Sequence, residues 1–384
     1  MTRTPGATPA GGATPTEGAT PTEGATPLAR LLAARIRADG PMDLSDYMAE
    51  CLLHPAHGYY ATRDPFGAAG DFTTAPEISQ MFGELVGASL AGWWEAAGRP
   101  GPVRLIELGP GRGTLMADAL RVMARVPGLD PTVHLVEASP TLRAAQSRAV
   151  PAARHHDRLE DVPPGATLLV ANEFFDALPI RAFVRDGPGW RARTVGLEGG
   201  ALRLGLSPAA PLPALDHRRA DTADGDVVET RPAADGVLRA LAERLLAAPG
   251  AALVVDYGDR RSLGDTLQAL RGHAPEDPLA HPGEADLTAH VDFGALAAAA
   301  PGLRRTELTP QGVFLERLGI TQRARALAAR LAGDALESHV AAHRRLVHPE
   351  AMGRLFKVLG LVSPGSPCPP GLFFPGGARH PPAP

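Results

Sequence analysis

The stretch LIELGPGRGTLMADALR, residues 105–121, decides the fold. It opens as an apolar run with a single acid, Glu107, near its end. Three glycines at alternate positions follow, Gly109, Gly111 and Gly113, and then apolar residues at helical spacing. This reads as a buried strand, a tight turn and a helix start. Glycine at such a turn lets the backbone approach a ligand and take positive φ, and the helix beyond it presents a positive dipole end. A small nucleotide-like ligand is therefore expected on the turn. Outward from it, apolar strands are predicted over 103–108, 133–137, 154–156, 167–171 and 251–256. Helices over 114–126, 140–149 and 235–248 alternate with them, which is the pattern of an α/β parallel sheet covered on both faces. Ligands in such sheets sit at the carboxyl ends of the strands, and Glu107, Glu137, Asn172 and Asp256 are polar residues at those ends.

The 384-residue chain carries a net charge of −4, so it lacks the basic field of a nucleic-acid binder. Its two cysteines, Cys51 and Cys368, support neither a disulfide framework nor a thiolate metal site. No apolar run reaches the roughly 18 residues of a membrane helix. Arginine is abundant, yet Lys357 is the one lysine and Asn172 the one asparagine. Residues 1–27, where Gly-Ala-Thr-Pro recurs from Gly12, Gly18 and Gly24, read as a disordered low-complexity tail. Segment 28–100 carries helices over 28–38, 44–53 and 78–97 and a turn-rich loop between them. The core runs over 101–182 and resumes over 235–320. Between the two, 183–234 reads as an inserted β-rich substrate lobe, with strands over 183–185, 190–197 and 201–206. Residues 258–290 read as polar and turn-rich, and 292–300 as a helix. The end, 321–384, is a helical lobe with a Pro/Gly-rich tail.

The glycine turn departs from the G-x-G-x-x-G dinucleotide pattern, because its third glycine comes one position early. An acid precedes the turn, and Glu137 closes the second strand, where it suits ribose hydroxyls. That combination favours S-adenosylmethionine over NAD as the cofactor. Asn172-Glu-Phe-Phe-Asp-Ala-Leu-Pro179 leaves the fourth strand. In-line methyl transfer needs a nucleophile with a free lone pair held close to the methyl carbon. A guanidinium, with a pKa above 12, must be oriented and relieved of a proton as it reacts. The carboxylates of Glu173 and Asp176 suit that task as candidate catalytic residues. Their alternative is a helix cap, with Asp176 or Asn172 binding backbone amides. Asp71-Phe-Thr-Thr-Ala-Pro-Glu77 reads equally as a lid or as a loop capping the next helix through Thr74 and Glu77. His339, His343 and His348 read as a solvated helix face, His54 and His57 as packed beside Tyr59 and Tyr60, and His155–His156 as near a cofactor rim; no metal site is expected.

With these motifs assembled, the sequence resembles the MidA-like family of S-adenosylmethionine-dependent methyltransferases, from about residue 28 to 374. Its carriers are HPAHGYY, GDFTTAPEISQMFGELVG, ELGPGRGTL, VEASPTLRAAQ, ANEFFDALPIRAF, VVDYG, GDTLQALRGH, DLTAHVDF, LTPQGVFLERLGI and MGRLFKVLGL. The resemblance implies a class I Rossmann-like methyltransferase, with a mainly parallel seven-stranded sheet and a β-rich/helical second lobe. It implies that the GDFTTAPE segment, with Phe72, Thr74 and Glu77, folds over S-adenosylmethionine. Glu107, Gly109, Gly111, Gly113 and Glu137 then hold the cofactor, Asn172 lies near its methyl group, and Glu173 or Asp176 meets a substrate arginine. The implied activity is arginine N-methylation of a respiratory complex I subunit in support of assembly. The Pro/Thr tail and the lack of a transit peptide point to a cytoplasmic bacterial member, with a homodimer among its possible states. An assembly chaperone with little turnover and a small-molecule methyltransferase are the alternatives.

Overall fold

Ala166–Asn172 and Gly250–Asp259 pair in parallel at the centre of the main sheet, and both are buried along almost their whole length. Strands covered by helices on both faces have this unbroken apolar character. Val103–Leu108 flanks Ala166–Asn172 on the other side, and Thr132–Val136 and Arg154–His156 continue the sheet outward, all in parallel. The structure is a computed structural model and describes residues 25–62 and 73–376.

The sheet is nonetheless mixed and departs from the expected seven strands, while most of its pairings are parallel. Nine strands join in it. Phe356–Val362 runs antiparallel beside Gly250–Asp259, and the short strands Arg304–Arg305 and Thr309–Pro310 pair antiparallel with Phe356–Val362. The helices that precede Phe356 lie at the carboxyl edge, where Phe356 sits opposite Tyr257. The chain enters the sheet from that edge with no crossover back to the opposite one, so only antiparallel pairing is open to it. This strand falls in the segment read as a helical C-terminal lobe. Lys357 and Gly360 blur its strand pattern. Lys357 spends its ammonium on the carbonyls of Gly258, Arg354 and Leu355.

One sheet face is covered by Gln80–Ala96 and Thr114–Met123, the other by Pro232–Ala247 and Phe293–Ala299. Gln80–Ala96 and Thr114–Met123 meet at close range because Gly83 and Gly87 lie one turn apart. A Cβ on Gly83 would come within 2.7 Å of Asp118 Cβ, and one on Gly87 within 2.7 Å of Ala119 Cα. Further along, Trp93 donates to the carbonyl of Pro367 and Ser89 to that of Pro370, which holds the Pro/Gly-rich end against the core.

The second lobe is assembled from three separated segments. Helices Pro27–Asp39 and Leu44–Leu53 pack on a five-stranded sheet built mainly from Arg181–Asp186, Gly189–Glu198, Ala201–Leu206 and Val227–Thr230. The third segment is a small sheet of Gln268–Arg271, Ala274–Glu276 and Asp286–Thr288, lying inside the stretch read as polar and turn-rich. Its strands have three or four residues each, too few for a period of two to register. At the amino end Pro27 already belongs to the first helix, so the tail is shorter than its composition suggests. Thr26 caps that helix by accepting from the Ala29 amide, and donates to the carbonyl of Pro282. Among the described residues no helix is long and apolar enough to cross a membrane.

The Gly87 contact is testable. Alanine in place of glycine inside a helix ordinarily stabilises by up to about 1 kcal/mol, but here the added methyl meets backbone and the overpacking costs about 1–3 kcal/mol. Gly87→Ala is expected to lower the melting temperature in a thermal unfolding scan. An unchanged or raised value would contradict the close helix contact.

Candidate active site

The carboxyl ends of Val103–Leu108 and Ala166–Asn172 are adjacent, and the chain leaves them in different directions. Between them opens a cavity of about 1010 Å³. Thr74, Glu77, Glu107, Gly109, Gly111, Glu137, Asn172, Glu173 and Asp176 all line it. Gly113 does not; at φ +86° it is the N-cap of helix Thr114–Met123, behind the turn. Phe72 lies outside the described residues.

All three glycines of the turn take positive φ, +62°, +54° and +86°, the left-handed region that L side chains disfavour. Gly109 has a second reason to lack a side chain, since its Cβ would stand 2.9 Å from Phe174 Cδ2. The turn thus carries the first phenylalanine of NEFFDALP directly on its backbone. Gln146 ties the turn to the next strand. Its Nε2 donates to the Gly111 carbonyl at 2.8 Å and to Glu137 Oε2 at 3.2 Å. The Ser139 amide donates to Glu137 Oε1 at 2.8 Å. On the other side Thr114 donates to Glu77 Oε1 at 2.5 Å, fastening the 73–78 segment to the helix that follows the glycines.

Glu107 is buried with no ion-pair partner among the described residues, and burial pushes its carboxyl well above the usual range. Its Oε2 has no hydrogen-bond partner among the described residues, and neither has Asn172 Oδ1. Orphaned oxygens beside a cramped glycine turn are a poor end state for a folded chain. They suit a ligand that brings donors. S-adenosylmethionine does so, with its ammonium for an acid and its ribose diol for Glu137, and it needs no pyrophosphate cradle. The residues therefore fit this cofactor.

The turn Glu173–Pro179 faces the cavity from the other strand. Glu173 has φ +49°, uncommon for a residue with a side chain. Its amide donates to the Val255 carbonyl, and its Oε1 accepts from the Ala75 amide at 3.2 Å and from Asn172 Nδ2 at 3.1 Å. Burial, with Asp176 adding to it, raises the Glu173 pKa to about 8. Asp176 is raised to about 6 by burial, against the pull of Arg231 and of a hydrogen bond from Tyr257; its Oδ1 has no hydrogen-bond partner among the described residues. The amides of Ala177 and Asp176 also hold this carboxylate down; no helix starts between Asn172 and Arg181, so these are turn contacts and not the helix cap that the sequence allowed.

Several residues here carry no signal strong enough to be found from sequence. Asp256 stands out there only as a strand-end acid. In the structure its Oδ2 accepts from the Phe175 and Asp176 amides and its Oδ1 from that of Tyr257. Arg231, one arginine among many, donates to the carbonyls of Leu178 and Ala289. Tyr257 was visible only as part of the VVDYG block. The histidines serve structure: His339 meets the Ala324 carbonyl, His343 meets Thr321, and His54 stacks on His57. His155 pairs with Gln146 and His156 with His134, and neither lines the cavity. Among the described residues no group of three or more potential metal ligands occurs.

Known proteins match both the chain and this geometry. Residues 85–310 match a family described as S-adenosyl-L-methionine-dependent methyltransferases. The mitochondrial protein arginine methyltransferase NDUFAF7 of Mus musculus is 37% identical over 375 residues, covering 87% of this chain and 84% of its own. The Homo sapiens protein of that name is 35% identical, covering 87% and 83%. A Burkholderia thailandensis crystal structure bound to S-adenosyl-homocysteine superposes with a TM-score of 0.76 at 30% identity, covering 90% of this chain and 93% of that one. With the glycine turn, the orphaned acid and most of the chain in agreement, the protein belongs to this family of S-adenosylmethionine-dependent methyltransferases.

Proposed function

We propose that the chain is a protein arginine N-methyltransferase. The observation that carries this reading is the charge at the inner end of the cavity. Glu173, Asp176 and Asp286 line it and Asp256 lies behind them, with the half-buried guanidinium of Arg231 beside them. Four carboxylates to this one guanidinium leave an excess of desolvated acid, which the raised pKa values of Glu173 and Asp176 reflect. A cationic substrate relieves that excess. A guanidinium does so with five donors in a planar fork. The relatives named as protein arginine methyltransferases support the same reading.

S-adenosylmethionine supplies an electrophilic methyl group on a sulfonium sulfur. The chain must do the rest. Asn172 orients Glu173 through its side-chain amide, and Phe174 closes the site against water. As the ω-nitrogen forms its new bond to carbon it loses one proton, and Glu173, with a pKa near 8, is matched to receive it and pass it to solvent. The family resemblance carried by the motif blocks supports a respiratory complex I subunit as the client.

The direct test is to incubate the protein and labelled S-adenosylmethionine with lysate of cells lacking it. Label is expected in methylated arginine of a complex I subunit, whereas label only in small molecules or in other amino acids would overturn the proposal. Two further outcomes follow from the acids. Glu107→Gln is expected to weaken S-adenosyl-homocysteine by about tenfold or more in calorimetry, as an ionic acceptor is lost. For Glu173, kcat/KM is expected to climb with pH and level off near 8, while Glu173→Gln is flat and about 10²–10⁴-fold slower. The folded pKa lies above the ordinary 4.5, so the folded protein binds the extra proton and stability falls between about 4.5 and 8. Glu173→Gln should therefore raise the melting temperature more at pH 8 than at pH 5.

A further inference from the structure

Three sequence blocks, HPAHGYY, GDTLQALRGH and DLTAHVDF, contain none of the residues assigned above to the cofactor. The first lies about two hundred residues before the other two, and the structure brings one polar residue or more from each to the same wall of the cavity. The Tyr60 hydroxyl donates to Asp286 Oδ1 at 2.8 Å. Gln268 Nε2 lies 3.3 Å from both the Tyr257 hydroxyl and Thr288 Oγ1. The strand bearing Asp286 and Thr288 is fastened to the NEFFDALP turn. The Ala289 amide donates to the Asp176 carbonyl at 3.1 Å, and Arg231 holds the Ala289 carbonyl at 3.0 Å. This wall belongs to the second lobe, yet it cannot move independently of the catalytic turn.

A buried tyrosine–aspartate pair can serve merely to dock two lobes. Two observations point past that. Asp176, only 5% exposed, lines the same cavity, and its Oδ1 has no hydrogen-bond partner among the described residues, so the site is short of donors. Asp286, 4% exposed, is a second acid on that cavity and adds to the field that raises Glu173. Burial and neighbouring acids also push the Tyr60 hydroxyl well up, so it stays protonated and donates at any working pH.

We propose that Asp286 and Tyr60 form the second-lobe half of the guanidinium site. Asp286 accepts from the ω-nitrogen that is not being methylated, and Tyr60 fixes the plane of that carboxylate. Glu173 and Asp176 then take the reacting nitrogen. The assignment rests on the arginine reading above and extends it, because it makes the second lobe the source of substrate selectivity. A guanidinium is long enough to engage acids on two walls through separate nitrogens. A lysine ammonium is a compact point charge and cannot.

The test uses the full chain, labelled S-adenosylmethionine, and two peptide pools with randomised flanks around a central arginine or a central lysine. The wild-type protein is expected to label the arginine pool. Asp286→Asn should raise KM for that pool by about tenfold or more, with kcat within about threefold, as a charge-assisted hydrogen bond is lost. Tyr60→Phe should raise KM less, by about threefold. S-adenosyl-homocysteine affinity should stay within about twofold in both variants. A fall in kcat at constant KM, or a parallel loss of S-adenosyl-homocysteine affinity, would overturn the assignment while leaving the arginine reading standing. A wild-type protein that labels only the lysine pool, or neither, would overturn the arginine reading and this one with it. Should Asp286→Asn lose its fold in a melting scan, Tyr60→Phe decides alone, and an unchanged KM counts against the proposal.

Discussion

Asp256 lies at the carboxyl end of a strand buried on both faces, and its own side chain is out of reach of solvent. Three backbone amides converge on it, those of Phe175, Asp176 and Tyr257, and Arg231 answers part of its charge. A buried carboxylate is tolerable only when its oxygens are satisfied in this way. The constraint runs in both directions. The amides of the NEFFDALP turn would be orphaned without Asp256, and Asp256 would be an unpaired buried charge without the turn. Each therefore holds the other in place. The left-handed backbone at Glu173 is kept because its neighbours have no other arrangement that satisfies them.

From that turn the two halves of the site are positioned together. Phe174 rests on Gly109, so the glycine turn and the NEFFDALP turn share one contact surface. Glu173 reaches the Ala75 amide, and Glu77 two residues on accepts from Thr114, which closes a ring around the cavity from the 73–78 segment to the glycine turn. On the far side Arg231 grips Leu178 from the turn and Ala289 from the second lobe. A displacement of any one segment would break hydrogen bonds in the other two. Rigidity of this kind is what in-line group transfer demands, since misplacement by about 1 Å can lower the rate by about 10²-fold.

What the sequence made legible follows the physics of local pattern. The glycine turn, the strand-end acids and NEFFDALP are contiguous, and their chemistry is written in residues adjacent to one another. The parallel half of the sheet was equally legible, because its strands are apolar runs separated by helices of ordinary period. Phe356–Val362 was not, since a lysine and a glycine interrupt it and its partner strand lies about a hundred residues earlier. The strands of 268–288 were too short to show a period, and Arg231 looks like any other arginine in an arginine-rich chain. Asp286 is the sharpest case. It opens the DLTAHVDF block, yet nothing in that block signals its pairing with the Tyr60 hydroxyl, 226 residues away. Long-range pairing of polar residues leaves no periodic trace.

The acids at the inner end of the cavity differ in what surrounds them. Carboxylates this close raise one another's pKa, and an isolated group of them would simply take up protons and fall neutral. Arg231 pulls the pKa of both Asp176 and Asp256 down against burial, which raises them. It does not head the effects on Glu173, where burial and Asp176 dominate. The arrangement therefore separates roles among similar side chains. Asp256, answered by amides, holds the structure. Asp176, at about 6, is answered in part by Arg231 and Tyr257. Glu173, at about 8, is governed by burial and by Asp176 beside it. Arg231, half-buried and outside the lining of the cavity, acts on Asp176 and Asp256 from behind.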